Sequence, residues 1–385
     1  MKKYIEFSLT LLLVFGLLAC EKQSSEEPSF AGFQIRMDTV MVDAGEDFIH
    51  LNGSLLTADL EPSERYLYNY DEQGHNIEVI DLDELKLDRK IPLQKEGPDG
   101  ITFIRDLLHI NDSTFLLRGR TSDLYNGEGK KNRALKLNEI TNFESTMWGL
   151  FMMDVLDVPN DENRYISFYK HSENQKYFLV DYDVTEMSYQ KIELPTYDEL
   201  NNFFTKVTVD GKIAMTAGCG TDMTFGDNRL IISNGCYNFA YVFDLATDAL
   251  SLKKWESQLY DKNNRYQPPK QVTYNTDEYY EMGKLRSQEI RFGRWRWDAT
   301  HKRHYRFSYI NRMSEERNEW GNYKVIDAQV FLTVLDAGFN LISEMEIPEF
   351  TQRPKNYFVK DGMIWVFENI NDDLAFIRME LVEEN

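Results

Sequence analysis

The chain has 385 residues, 42% of them hydrophobic and 14% aromatic with only 10 prolines, a composition that buries a core rather than staying disordered. Its 43 basic and 64 acidic side chains leave a net charge of −21, so the surface as a whole repels nucleic acid and anionic lipid. Beyond residue 20 no apolar run approaches the roughly 18 residues of a membrane span, and three cysteines are too few for a disulfide-dense scaffold or a zinc ribbon.

Lys2 and Lys3 form a short basic segment, and Phe7 to Leu18 is almost entirely apolar. That run suits the h-region of a signal peptide and is too short to cross a bilayer. It ends in Leu17-Leu18-Ala19-Cys20, which resembles the lipobox of bacterial lipoproteins. The resemblance implies a signal peptide over 1–19 and a lipidated Cys20 as the first mature residue. Each buried CH₂ contributes about 0.8 kcal/mol, so several acyl chains together hold such a protein on a membrane. Residues 20–31 read as a flexible tether, because Glu21 to Ser29 is polar, acidic and carries a proline. The Glu26-Glu27 pair is similar to the surface-export signals of Bacteroidota lipoproteins. The expected location is the bacterial cell envelope, anchored to the outer membrane, with periplasmic and surface display both open.

From 32 to 385 the chain reads as a single domain in which one pattern recurs. An alternating apolar strand is followed by a polar turn, then by a second strand ending in an acidic or amide residue. Arg65 to Tyr70 leads to Ile77 to Asp81 and Lys90 to Leu93. Tyr165 to Phe168 leads to Tyr177 to Asp181 and Lys191 to Pro195. Arg229 to Ile232 leads to Phe239 to Asp244 and Leu250 to Leu252, and Val330 to Asp336 leads to Glu344 to Pro348. Weaker copies sit at Ala134 to Asn138 and Leu374 to Met379. Period-two alternation marks strands, and Gly, Asn and Asp between runs mark turns. The strand-end positions 81, 138, 181, 244, 336 and 380 are spaced by 43 to 92 residues, the size of propeller blades with one large insertion.

The expected fold is therefore all-β: a six-bladed β-propeller with short helical decorations between blades. Phe33 to Met37 would supply a strand that closes the ring against the C-terminal blade and removes a free sheet edge. A pair of open β-sandwiches fits less well, because no stretch of linker composition divides the chain. Thr196 to Glu199 resembles a capping box, with Leu200, Phe203 and Phe204 as a short apolar stripe. Asn275 to Arg286 reads as a second short helix after the Pro268-Pro269 breaker.

The lipobox, the size, the Lys95-Glu96-Gly97-Pro98-Asp99-Gly100 segment before Asn111-Asp112-Ser113 and the repeated strand-Asp pattern together resemble one family. It is an uncharacterised Bacteroidota lipoprotein family, domain of unknown function 4221. The resemblance implies a TolB-like six-bladed propeller over nearly the whole mature chain. Its motifs are structural and imply no activity.

Cys219 and Cys236 are the thiols left once Cys20 is lipidated, and in an oxidising compartment an even number pairs. A disulfide between them is expected, and no histidine lies within 45 residues of either to make a metal site. Residues 284–306 carry eight Lys or Arg against Glu289 and Asp298, in a chain of net charge −21. Arg291, Arg294, Arg296 and Arg303, interleaved with Trp295 and Trp297 and followed by His301 and His304, are the candidate ligand-binding set. Guanidinium forks and indole faces suit an anionic or carbohydrate ligand by bidentate contact and stacking. The competing reading is a solvated face paired with neighbouring acids.

His301 and His304 have H-x-x-H spacing, but the segment reads as strand or turn and lacks a third ligand, so no metal is expected. Gly220 to Asn228 reads as a polar loop suited to a sugar contact, without the spacing of a calcium loop. No G-x-S-x-G or H-E-x-x-H occurs, no cofactor is expected, and among 64 acids some close carboxylate pair is inevitable.

Two functional readings follow. The first is a lipid-anchored envelope binding or scaffold protein that recognises a ligand or another envelope protein on one propeller face, with the membrane reached through the anchor. The second is an envelope hydrolase or lyase with its site at the propeller funnel, where loops converge and where His301, Arg303, His304 and Tyr305 would be candidates. The absence of a catalytic signature favours binding.

Overall fold

Aspartate side chains close the hairpins from which this chain is built. Asp71 accepts the backbone N–H groups of Gln73 and Gly74, Asp81 those of Asp83 and Glu84, and Asp183 those of Thr185 and Glu186. Asp244 and Asp298 do the same for the residues two and three ahead. Four positions after each of these aspartates stands a left-handed residue: His75, Leu85, Met187, Asp248 and Lys302. An Asx turn followed by one residue at positive φ reverses the strand, so the repeated acid is a turn device.

The computed structural model describes residues 32–111, 113–143, 150–171, 175–260 and 263–383. The expected signal peptide, Cys20 and the whole of the expected tether lie outside the described residues. The protein is mostly β, with 56% of its residues in strands and few helices. Six sheets follow one another in the chain, each ordered as its strands occur in sequence. The first comprises Ala58–Leu60, Tyr66–Asp71, Asn76–Asp81 and Lys86–Pro92. The second comprises Asp106–Asn111, Thr114–Arg118, Ser122–Asn126 and Lys131–Ala134. The third comprises Leu150–Val158, Asp161–His171, Lys176–Asp183 and Ser188–Glu193, and the fourth Thr221–Gly226, Arg229–Asn234, Phe239–Asp244 and Ala249–Lys254.

In the fifth sheet Arg291–Phe292 and Arg296–Asp298 both pair with Arg303–Arg317, which is followed by Tyr323–Asp336 and Leu341–Glu346. The sixth holds Tyr357–Lys360, Met363–Ile370 and Asp373–Glu383, and its outer strand is Phe33–Met41. That strand pairs antiparallel with Asp373–Glu383, from Phe33 opposite Glu383 to Met41 opposite Ala375. The pairing expected for Phe33 to Met37 is therefore present and extends four residues further.

Apolar side chains fill the space between each sheet and the next. Tyr68 and Val79 meet Phe115 and Leu117; Leu116 meets Val155 and Tyr165; Ile166 and Leu179 meet Leu230 and Ile232. Ile231 and Val242 meet Trp295 and Leu335, and Leu332 meets Val359 and Val366. The sixth sheet packs back on the first, with Trp365 and Phe376 against Leu67 and Ile80. Because both faces of the central strands are covered, Asn76–Asp81 is buried along its whole length.

Three of the expected strand ends fall elsewhere. Asn138 lies in the short helix Leu137–Thr141 rather than at a strand end. Asp181 is held by Arg164, leaving the turn to Asp183, and Glu380 lies inside a strand. The segment Pro195–Phe203 is a 3₁₀ helix without a side-chain cap, because Tyr197, Leu200 and Phe203 bury at intervals of three, the 3₁₀ repeat. The helix expected after Pro269 is Asp277–Ser287, whose first turn is capped by Thr276 accepting the Tyr279 N–H.

A three-stranded accessory sheet was not legible in the sequence. Thr205–Val209 pairs antiparallel with Lys212–Ala217 and parallel with Gln271–Thr273, and Val207 and Val272 pack on Met282 of the helix. Cys219 and Cys236 form the expected disulfide, with Cα atoms 5.7 Å apart. It ties the entry of the fourth sheet to that sheet's central hairpin, and closing a loop of this length contributes about 3 kcal/mol.

Candidate functional site

Each of the six sheets contributes to one cavity of about 960 Å³. In the first strand of the third sheet Val155 turns into the core while its neighbour Asp154 lines the cavity. The first sheet places Asp59 there, the second Asp106, the third Asp154 and Asp157, and the fourth Asp222, while the His109 ring stacks on Tyr68 in the core. Arg294, Arg296 and Trp297 come from the fifth, and Asn356 and Tyr357 from the sixth. Gly226 is required where the fourth strand passes the fifth sheet, since a Cβ there would stand 2.8 Å from the Trp297 Cβ.

Charge is arranged in two groups. In one, Arg294 Nε lies 2.7 Å from Asp222 Oδ1 as an ion pair, and Arg118 pairs with Asp106 while donating to the Met153 carbonyl at 2.8 Å. Asp154 lies beside them without an ion pair of its own among the described residues. Burial, reinforced by the charges of Asp106 and Asp222, pushes its carboxyl up to about 7 despite Arg118 and Arg294. Burial also raises Asp106 and Asp222.

In the other group, Asp59 Oδ2 accepts the His109 backbone N–H at 2.8 Å, yet burial still raises Asp59 to about 6. Burial and then the Asp59 charge push Asp157 up to about 7. Arg296 donates through Nε to the Tyr357 carbonyl at 2.7 Å and lies over that ring; burial, and then Arg294, lower its affinity for a proton. Tyr357 in turn donates its hydroxyl to the Arg294 carbonyl, which ties the fifth and sixth sheets at the cavity wall. Such a site can hold ligand ammonium, hydroxyl and carboxylate groups, and two of its carboxyls exchange protons near neutral pH.

The structure brings only Arg294, Arg296 and Trp297 of the candidate ligand set to the cavity. Trp295 has no exposed surface and packs on Trp255, and His304 is fully buried between Trp297 and Phe339. Burial, with Arg229 nearby, pushes the His304 imidazole down to about 3, so it stays neutral. Arg291 donates to the Arg286 carbonyl and to Cys236 Sγ, and Arg303 pairs with Glu383 over the Phe33 ring. His301 Nδ1 lies 2.7 Å from Asp298 Oδ2, to which Tyr305 also donates its hydroxyl at 2.9 Å. That cluster braces a hairpin rather than facing the cavity. The arginines that suggested an anionic ligand thus carry much of their own compensation, and the remaining ones serve packing.

Two readings change. The segment Gly220 to Asn228 is mostly the strand Thr221–Gly226 rather than a loop, and its Asp222 faces the cavity. Asp59, Asp106, Asp154 and Asp157 were hidden among 64 acids. Their one sequence signal is an aspartate interrupting an apolar alternation, as in Met153-Asp154-Val155-Leu156-Asp157-Val158. Among the described residues no group of three or more His, Cys, Asp or Glu side chains is arranged to hold a metal ion.

The fold is similar to a crystal structure of a DUF4221 family member from Bacteroides vulgatus, with a TM-score of 0.65 at 14% identity over 92% of this chain and 99% of that one. It is also similar to a candidate exported protein of Bacteroides fragilis, with a TM-score of 0.51 at 7% identity over 91% and 96% of the two chains. A fainter likeness, with a TM-score of 0.36 at 10% identity, is to the Cps50 (Swd1) β-propeller domain of Myceliophteria thermophila, over 90% and 99% of the chains. The comparison with curated proteins gave no match. A family model, Domain of unknown function (DUF4221), matches residues 31–346. The chain belongs to the DUF4221 family.

Proposed function

We propose that this protein is a lipid-anchored binding protein of the bacterial cell envelope, folded as a six-bladed, TolB-like propeller that takes a small polar ligand at its centre. The observation that carries the reading is the cavity of about 960 Å³ to which all six sheets contribute polar side chains. A large concave site with a few convergent charged groups is where ligands bind. The closed ring is supported by the apolar contacts from each sheet to the next and by the packing of the sixth on the first. The lipobox at Cys20 supports the anchor. The hydrolase or lyase reading loses support, because His301, Arg303, His304 and Tyr305 do not meet in the cavity.

Native mass spectrometry of the lipoprotein extracted from its own envelope tests the binding reading. A small molecule should accompany the wild type and be missing from Thr224→Trp, whose indole would fill the cavity. If the wild type carries nothing and no metabolite fraction raises its melting temperature, the cavity is not a binding site. Separately, Cys20→Ala should move the protein from the membrane to the soluble fraction, and persistence in the membrane would remove the anchor from the reading.

A further inference from the structure

Two groups on the cavity wall stand out as incomplete, since Asp154, which also lacks an ion pair, lies near the charges of Arg118 and Arg294. Asp157 pairs with no cation among the described residues, although it is half-buried and lies near the charge of Asp59. Arg296 spends Nε on the Tyr357 carbonyl, and its two terminal nitrogens make no hydrogen bond among the described residues. Arg294 differs in that a carboxylate already stands against it, Asp222 Oδ1 at 2.7 Å from its Nε, and Arg118 holds Asp106 and the Met153 carbonyl. Asp157 and Arg296 both line this one cavity, the space offered to a ligand.

A carboxylate without a cation invites an ammonium group, and a guanidinium with two free N–H edges invites a carboxylate. Building on the binding reading above, we infer that the cavity takes a small zwitterion, with its ammonium group at Asp157 and its carboxylate on Arg296. A simple anion would satisfy Arg296 while facing surplus acids. A simple amine would satisfy Asp157 and leave the guanidinium fork open. Ligand of both signs completes both.

Isothermal titration of the full-length lipoprotein in detergent tests this with glycine, 4-aminobutyrate and 6-aminohexanoate against butylamine and butyrate, the single-charge halves. At least one of the three amino acids should bind about tenfold more tightly than either half. Its affinity should be greater at pH 8 than at pH 5, where Asp157 holds a proton. Asp157→Asn and Arg296→Gln should each abolish the advantage, and Arg296→Lys, which keeps the charge and the packing stem, should weaken it. Circular dichroism and melting curves establish that each variant is folded. Equal binding of a zwitterion and its halves, or no binding by any of the three, overturns the inference. A neutral disaccharide that binds in their place, and is lost in Thr224→Trp, overturns it while leaving the binding reading intact.

Discussion

Asp157→Asn should be more stable than the wild type at pH 8 by about 1–3 kcal/mol, with the gain fading as the pH falls toward 4. In the folded chain burial holds this carboxyl near 7, whereas an unfolded aspartate titrates near 3.9. Below the unfolded value both states carry the proton and the side chain costs nothing. As pH rises through the folded value, the native state must hold an uncompensated anion, and stability is lost. Asparagine keeps the shape and removes that cost. Urea unfolding at pH 8, 6 and 4 measures it: a gain independent of pH would mean that charge is not the cause, and a loss at pH 8 would mean that the carboxylate is well solvated. A site residue that destabilises its own fold is the expected signature of a group kept for a ligand.

Arg306→Ala should destabilise the chain by about 3–5 kcal/mol, the scale of truncating a large buried side chain. Arg306 has no exposed surface; its guanidinium lies 4.3 Å from the Trp295 ring and 4.7 Å from the Phe292 ring. It donates to Asn238 Oδ1 at 2.5 Å, while Nε and Nη1 make no hydrogen bond among the described residues. An unpaired buried cation repays little of its desolvation, so its contribution is mainly volume between aromatic faces. Arg306→Met should therefore recover most of the loss, to within about 1–2 kcal/mol of the wild type. Thermal and urea unfolding of both variants separates the effects: a methionine variant as unstable as the alanine one would show that the charge itself holds the box together.

The parts of this fold that were legible in the sequence are those governed by local chemistry. Asp81, Asp244 and Asp336 were found because an aspartate that accepts backbone N–H groups ahead of it writes a turn into the sequence. The central strands were found because burial on both faces gives continuous apolar runs such as Leu230 to Ile232. The innermost strands were not, for the reason that makes them functional. Ala58–Leu60 is three residues long, and Thr221–Gly226 carries an aspartate, a glycine and two threonines, which imitate a loop. Arg294 and Arg296 stood out as basic residues in an acidic chain, whereas one more aspartate in such a chain carries no information. That Asp59 and Asp157 act on the same space depends on packing between sheets, which no local pattern records. Trp295 and His304 resemble binding residues through their neighbours in sequence, although Trp295 packs on Trp255 and strand alternation turns His304 into the core.

The ladder between Phe33–Met41 and Asp373–Glu383 joins stretches roughly 340 residues apart, and this sets the order in which the molecule can be assembled. The entropy of closing so long a loop grows only logarithmically with its length, so the cost falls mainly on time rather than on final stability. During synthesis the earlier strand must wait, unpaired, until nearly everything between the two has been made. A ribosome that stalls within that interval leaves the earlier strand as an open template for other chains. The sixth sheet is therefore the last to be completed, however early its outer strand is made.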